Sequence, residues 1–331
     1  MSLSEQYDFI ILANSRWDAG GGGNSAQQYA RTLAKTGFTY FFAGPTEASK
    51  VSGIITSPQV LFGKTIVLCS LPRRDYLDIC RLLKRNGCKI IYRIVDYWEY
   101  MPRNSWYDKS IENKMIKLAD LCYVSSRKLL DRLKNPRGDF KLLPNAVDKE
   151  QFGKKPQAKP PDLREGDITI GFWGTFWMHT FDWRLIKSVA QKRSRWAFNL
   201  IGGNPAKIKR AAGDIPDNVY LLGEKAWHQL YEYGYYLDLC IIPYLLKPGS
   251  DEANPIKALE YLACHKPTVS YYNESLGDIP YLYFYKDGDD FMKKIEIASG
   301  IRINRNLVDA FLNKNTWEYR LDTIMNDLRQ L

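Results

Sequence analysis

Short apolar runs alternate with longer amphipathic stretches along this chain, and the alternation starts twice. Phe9-Ile10-Ile11-Leu12, Tyr40-Phe41-Phe42-Ala43, Thr65-Ile66-Val67-Leu68-Cys69, residues 89–95, Leu121-Cys122-Tyr123-Val124 and Phe140-Lys141-Leu142-Leu143 make the first series. Ile168-Thr169-Ile170-Gly171-Phe172, Phe198-Asn199-Leu200-Ile201, Val219-Tyr220-Leu221-Leu222, Leu239-Cys240-Ile241-Ile242 and Thr268-Val269-Ser270-Tyr271 make the second. Runs this short and apolar, each followed by helical periodicity, predict parallel strands covered on both faces. Between the series, Lys154-Lys155-Pro156-Gln157-Ala158-Lys159-Pro160-Pro161 has no apolar period and reads as a linker. The predicted class is therefore α/β, with two doubly wound parallel-sheet domains in tandem. Their expected limits are 1–153 and 167–306, joined by a linker over 154–166. Residues 307–331 are expected to form a helix that packs back across the domain junction. Ligands bind such sheets beyond the carboxyl ends of the strands, so a cleft between the two domains is the expected active site.

Composition narrows the function. The chain is 45% hydrophobic and 25% charged, a globular balance that excludes disorder as its main state. Its 47 Lys and Arg against 37 Asp and Glu give a net charge of +10, suited to anionic ligands, nucleic acid or acidic lipid headgroups without choosing among them. With 22 Tyr and 9 Trp, aromatic residues exceed what a core needs, so some are expected to line grooves. No apolar run is long enough to span a bilayer, and the first residues lack the basic-then-apolar pattern of a signal peptide. Six cysteines without CxxC spacing and only three His argue against a metal centre or a disulfide framework. A reduced, cytoplasmic protein is expected.

Two local patterns carry chemistry. After the first strand comes Asn14-Ser15-Arg16-Trp17-Asp18-Ala19-Gly20-Gly21-Gly22-Gly23-Asn24-Ser25, with a helix opening at its end. Glycines there allow positive φ and let backbone N–H groups approach an anion at the helix N-terminus. It matches neither G-x-G-x-x-G nor a P-loop. The second pattern is Glu252-Ala253-Asn254-Pro255-Ile256-Lys257-Ala258-Leu259-Glu260. Asn254 as N-cap and Pro255 as first helical residue would start a helix there. Lys257 then falls in the first turn, where the dipole disfavours a cation unless an anion meets it.

On these residues the chain resembles the GT-B glycosyltransferases, and within them the "group 1" class that uses nucleotide sugars. Glu252 and Glu260 have that class's E-x7-E spacing. Residues 254–269 look like the N-P-x-K-x-x-E-Y-L-A-x-x-K-P-V-V run of bacterial polysaccharide glycosyltransferases. Ala119-Asp120-Leu121-Cys122-Tyr123-Val124-Ser125-Ser126, Leu143-Pro144-Asn145-Ala146-Val147-Asp148 and Ile170-Gly171-Phe172-Trp173-Gly174 resemble further segments of the class in the same order. The resemblance implies two Rossmann-like domains. It also implies transfer of a sugar from a UDP- or GDP-sugar to a glycan or lipid-linked acceptor in bacterial surface-polysaccharide synthesis. By similarity, Glu260 would hold the ribose, Glu252 would contact the donor sugar, and Lys257 with Asn254 and Ile256 would meet the diphosphate. Gly21 and Gly22 from the first domain and Gly174 and Thr175 from the second would flank the phosphates. The base would lie near Gly202 and Lys225. Neither a cofactor nor a metal is implied, because the nucleotide sugar is the substrate.

The chain departs from the class at two places. Residues 176–184 keep neither the Arg nor the Lys that usually grip the phosphates in pattern; His179 or Lys257 can substitute, Arg184 is expected to face outward on the helix, and the first domain contains no His. Asp96, following a strand end, is the candidate base for the acceptor hydroxyl, as readily explained as a satisfied cap. The E-x7-E pattern leans towards retention of configuration, with inversion left open. Asp287-Gly288-Asp289-Asp290 can be a metal cluster or a helix cap, and its place before a helix favours the cap. The first domain's basic and aromatic residues suit an acceptor carrying sugar and phosphate, with reversible contact to an anionic membrane surface. A sugar-nucleotide epimerase, a non-catalytic sugar-nucleotide binder and a nucleic-acid-binding protein are the alternatives. The last lacks any recognisable motif, so no nucleic-acid partner is expected.

Overall fold

The computed structural model describes residues 8–13, 23–34, 39–42, 65–100, 107–134, 137–176 and 180–331. Its contacts divide the chain into two units. The first combines Met1–Ala146 with Glu252–Asn254 and Trp317–Leu331; the second combines Val147–Asp251 with Pro255–Thr316.

In the first unit the apolar runs become strands β1 (Asp8–Leu12), β2 (Thr39–Phe42), β3 (Thr65–Cys69), β4 (Lys89–Ile94), β5 (Leu121–Val124) and β6 (Lys141–Leu142). They form one sheet in the order β2-β1-β3-β4-β5-β6, and every pairing is parallel. The connecting helices are α1 (Ser25–Ala34), α2 (Arg74–Arg85), α3 (Lys109–Leu118) and α4 (Arg127–Leu133). Ile90, Tyr92 and Ile94 share a core with Tyr76, Leu77 and Cys80 of α2 and with Ile111 and Met115 of α3. Tyr29 of α1 packs edge-on against Trp317 at 5.0 Å, and Trp317 opens α12 (Trp317–Leu328).

The second unit repeats the plan. Strands β7 (Thr169–Trp173), β8 (Ala197–Ile201), β9 (Val219–Gly223), β10 (Leu239–Ile242), β11 (Thr268–Ser270) and β12 (Leu282–Phe284) lie in the order β12-β11-β10-β7-β8-β9. All are parallel. Its helices are α5 (Lys149–Phe152), α6 (Trp183–Lys192), α7 (Pro205–Ala212), α8 (Leu230–Tyr236), α9 (Lys257–Ala263), α10 (Gly288–Ser299) and α11 (Arg305–Leu312). The chain leaves β7 in one direction to β8 and β9, then returns to the other side of β7 for β10. That reversal puts the topological switch point, where such sheets bind ligands, beyond the carboxyl ends of β7 and β10.

Three local expectations change. The 154–166 stretch is no free tether: Leu163 is buried in the second core, and Asp162 accepts from Lys225 Nζ at 2.6 Å and from the Tyr233 hydroxyl at 2.7 Å. Residues 307–331 are two helices, α11 in the second unit and α12 in the first, because the backbone of Thr316 between them bridges to Val147. The helix expected from Pro255 begins at Lys257, with Ile256 as an N-cap that makes no side-chain bond. Asn254 lies two residues before that cap, and its Oδ1 accepts the Asn145 backbone N–H at 2.8 Å.

Candidate active site

The carboxyl ends of β7, β8 and β9 are built from glycines that touch. Gly174 has φ +140° and Gly202 φ +135°, left-handed values that side chains rarely tolerate. Gly174 donates its N–H to the Ile201 carbonyl at 3.0 Å, and Gly202 donates to the Gly223 carbonyl at 2.8 Å. A Cβ on Gly202 would collide with the Gly174 carbonyl, and one on Gly174 would collide with Lys257 Nζ. Absent side chains therefore make the space into which the Lys257 ammonium reaches.

Lys257 itself is half-buried. Its Nζ lies 4.5 Å from the centroid of Phe172 and 4.9 Å from that of Tyr244, and it hydrogen-bonds the Tyr244 hydroxyl. Aromatic faces attract a cation but do not neutralise it. Among the described residues no carboxylate forms an ion pair with it. Desolvation pulls its pKa down to about 7, against the opposing pull of Glu260.

Glu260, one turn on, is 5% exposed. Its Oε2 accepts from Trp173 Nε1 at 2.7 Å and its Oε1 from Trp227 Nε1 at 3.0 Å. Burial raises its pKa, while the two indole donors and Lys257 draw it back. Phe152 stacks on Trp173 at 6.1 Å and meets Trp227 edge-on at 5.5 Å, and the Tyr261 hydroxyl accepts the Trp173 backbone N–H at 3.0 Å. Each oxygen of Glu260 keeps a lone pair beyond the one its indole occupies.

The second unit thus brings Gly174, Gly202, Lys257 and Glu260 to one end of its sheet, with Thr175 exposed and Ile256 half-buried beside them. Lys225, two residues past the end of β9, donates to Asp162 at 2.6 Å and lies over the ring of Tyr233. Gly21, Gly22 and His179 lie outside the described residues.

In the first unit Asp96 follows β4 and is half-buried. Burial pushes its pKa up to about 6, with Arg93 pulling it down. Arg93 is fully buried; its Nε and Nη2 donate to the Leu143 carbonyl at 3.2 and 3.0 Å, and Nη2 donates to Asn145 Oδ1 at 2.8 Å. Glu252 also belongs to this unit and has no exposed surface. Arg132 Nε donates to its Oε1 at 2.8 Å, and the Ser126 hydroxyl donates to its carbonyl at 2.5 Å. Asn254 is tied twice to Asn145, through Oδ1 and through its carbonyl, which accepts from Asn145 Nδ2 at 2.5 Å. Sequence spacing pointed to neither Trp173, Trp227, Tyr244 nor Arg132, whose partners are distant in the chain.

Residues 167–295 match the family model described as glycosyl transferases group 1. Over 210 residues the chain is 28% identical to the putative teichuronic acid biosynthesis glycosyltransferase TuaH of Bacillus subtilis (strain 168). That match covers 58% of this chain and 51% of the relative, so it spans about half the relative's length. Sucrose-phosphate synthase from Thermosynechococcus elongatus superposes with a TM-score of 0.69 at 14% identity, covering 98% of each chain. Anabaena HepE in complex with UDP gives a TM-score of 0.69 at 11% identity over 98% of this chain and 100% of its own. At such identities the likeness is one of fold. The chain has the two-sheet GT-B fold, and its residues 167–295 are similar to the group 1 glycosyl transferases.

Proposed function

We propose that the protein is a glycosyltransferase that moves a sugar from a nucleotide-sugar donor, a UDP- or GDP-sugar, to a glycan or lipid-linked acceptor in bacterial surface-polysaccharide synthesis. The observation that carries this reading is Lys257: an ammonium without an ion-pair partner among the described residues, desolvated at the switch point of the second sheet. A cation held there is stabilised when an anion arrives, and a donor diphosphate is such an anion. Negative charge grows on that phosphate as the glycosidic bond breaks, so a fixed ammonium lowers the barrier and takes the place of a metal ion. Gly174, Thr175 and Gly202 let the phosphates approach the backbone, and the spare lone pairs of Glu260 accept the ribose hydroxyls.

Asp96, with a pKa near 6, is mostly ionised at neutral pH and accepts the hydrogen bond of the acceptor hydroxyl. The E-x7-E spacing supports retention, in which the departing phosphate takes that hydroxyl's proton. Glu252, buried and paired with Arg132, is assigned the orientation of Arg132 rather than contact with the donor sugar. The relative's part in teichuronic acid biosynthesis and the UDP bound to the HepE structure support the substrate class. Among the described residues no helix is long and apolar enough to cross a membrane. The net charge of +10 supports reversible contact with an anionic surface presenting the acceptor.

Calorimetric titration with UDP, GDP, ADP and dTDP at pH 8, in two buffers of different ionisation enthalpy, tests this. At that pH free Lys257 is mostly neutral, and a bound diphosphate raises its pKa, so binding takes up roughly one proton. Lys257→Met should abolish the uptake and weaken binding about tenfold or more. If none of the four nucleotides binds, or the variant binds with the same proton uptake, the reading is wrong.

A further inference from the structure

Arg132, near the end of α4, has one edge of its guanidinium engaged and the other open. Its Nε holds Glu252 Oε1 at 2.8 Å; that carboxylate has no exposed surface, while the Arg132 side chain is 50% exposed. Among the described residues its terminal nitrogens make no further bond. Tyr97 and Tyr100 stand within electrostatic reach of it. Their ring centroids are 4.8 Å apart with planes tilted by 31°, and Tyr100 is 53% exposed. Lys109 is paired with Glu99 at 3.3 Å.

These features fit together chemically. The buried Glu252 carboxylate fixes the plane of the guanidinium, so the open N–H pair is aimed before any ligand arrives and little conformational freedom is lost on binding. An open fork of this kind matches the two oxygens of a carboxylate or phosphate. The exposed ring of Tyr100, backed by the half-buried ring of Tyr97, matches the apolar C–H face of a sugar ring. A neutral sugar would use the rings and leave the fork to water.

We propose that Arg132, Tyr97 and Tyr100 form a subsite for an anionic sugar, a ring that carries a carboxylate or a phosphate. The inference rests on the transferase reading only in taking that sugar to be part of the acceptor. Arg132 makes the site selective, and Glu252 positions it.

Equilibrium titration of the full chain with methyl β-glucuronide, glucose 6-phosphate and methyl β-glucoside tests the subsite, with UDP titrated in parallel. At least one anionic probe should bind about tenfold more tightly than the neutral one, the worth of a charge-assisted pair. Which of the two binds tells whether the anion is a carboxylate or a phosphate. Arg132→Gln should bring anionic and neutral probes to equal affinity. Tyr100→Ala, at an exposed position that leaves the Glu252 pair intact, should weaken every probe severalfold. UDP affinity should not change in either variant. Should unpairing Glu252 unfold Arg132→Gln, the Tyr100→Ala result decides alone. Equal binding of neutral and anionic probes in the wild type, no binding of any probe, or full affinity in Tyr100→Ala would overturn the subsite. A wild-type chain that discriminates the anionic probes but ignores all nucleotides would instead overturn the transferase reading and leave the subsite standing.

Discussion

At Gly174 a methyl group would occupy the place of the Lys257 ammonium, and the φ of +140° is one that alanine resists. Gly174→Ala is therefore expected to destabilise the fold by about 1–3 kcal/mol and to lower nucleotide affinity about tenfold. Thermal melts and titrations of the same sample measure both, and unchanged affinity would mean that the ammonium is not seated there. Lys257 also gives stability a signed dependence on pH. Its native pKa of about 7 lies below the ordinary lysine value of 10.5. Between those limits the unfolded chain binds a proton that the native chain does not, so this site makes stability rise with pH. Below about pH 7 both states are charged and the burial penalty is present in full. Denaturant midpoints from pH 6 to 10 should climb less steeply in Lys257→Met than in the wild type. Lys257 and Glu260 were legible in the sequence because a helix sets their spacing locally. The indoles of Trp173 and Trp227 that hold Glu260 come from positions 87 and 33 residues away, and no local spacing encodes such a meeting. The partners of Glu252 and Asn254 were illegible for the same reason, since Ser126, Arg132 and Asn145 hold them from more than a hundred residues away.

Among the elements, the buried parallel strands announced themselves, because continuous apolar runs have no other stable home in a globular chain. β12 gave a weaker signal: Leu282, Tyr283 and Phe284 are all half-buried on a sheet edge, where the demand for apolar residues is weaker. The start of α9 differs from the expectation: Asn254 has the chemistry of a cap, but the helix begins at Lys257 and the Asn254 Oδ1 accepts from Asn145. Asp287 shows the opposite outcome. Its Oδ1 accepts the backbone N–H groups of Asp289 and Asp290 at 3.0 and 2.9 Å, so the acidic run Asp287-Gly288-Asp289-Asp290 opens α10 as a cap. Asp287→Ala is expected to cost about 1 kcal/mol of stability and to leave nucleotide affinity unchanged. Melting curves with and without millimolar magnesium or calcium check it. A cation that stabilises the wild type but not the variant would show that the cluster binds metal.

For the molecule as a whole, the strand–helix alternation made both sheets legible, since each strand and its covering helix are close in sequence. The chain's return near its end was expected as a single helix over 307–331; α12 alone belongs to the first unit, held there by a few late residues. Trp317 is 1% exposed and packs on Tyr29, while Arg320 Nε donates to the Pro144 carbonyl at 3.0 Å. Asp327 accepts from the Tyr123 hydroxyl at 2.7 Å and from Lys141 Nζ at 2.6 Å. Without α12 the Tyr123 hydroxyl would lose Asp327, the Pro144 carbonyl would lose Arg320, and the buried ring of Tyr29 would lose Trp317. Burying a tryptophan and a helix's worth of apolar surface contributes several kcal/mol, about as much as a domain of this size has to spare. A fragment of residues 1–146 is therefore expected to lack a cooperative thermal transition, and the same fragment carrying 315–331 on a flexible Gly/Ser linker is expected to regain one. Circular dichroism melts of the two fragments decide the matter: a cooperative melt of 1–146 alone would show that the first unit closes its core without the end of the chain.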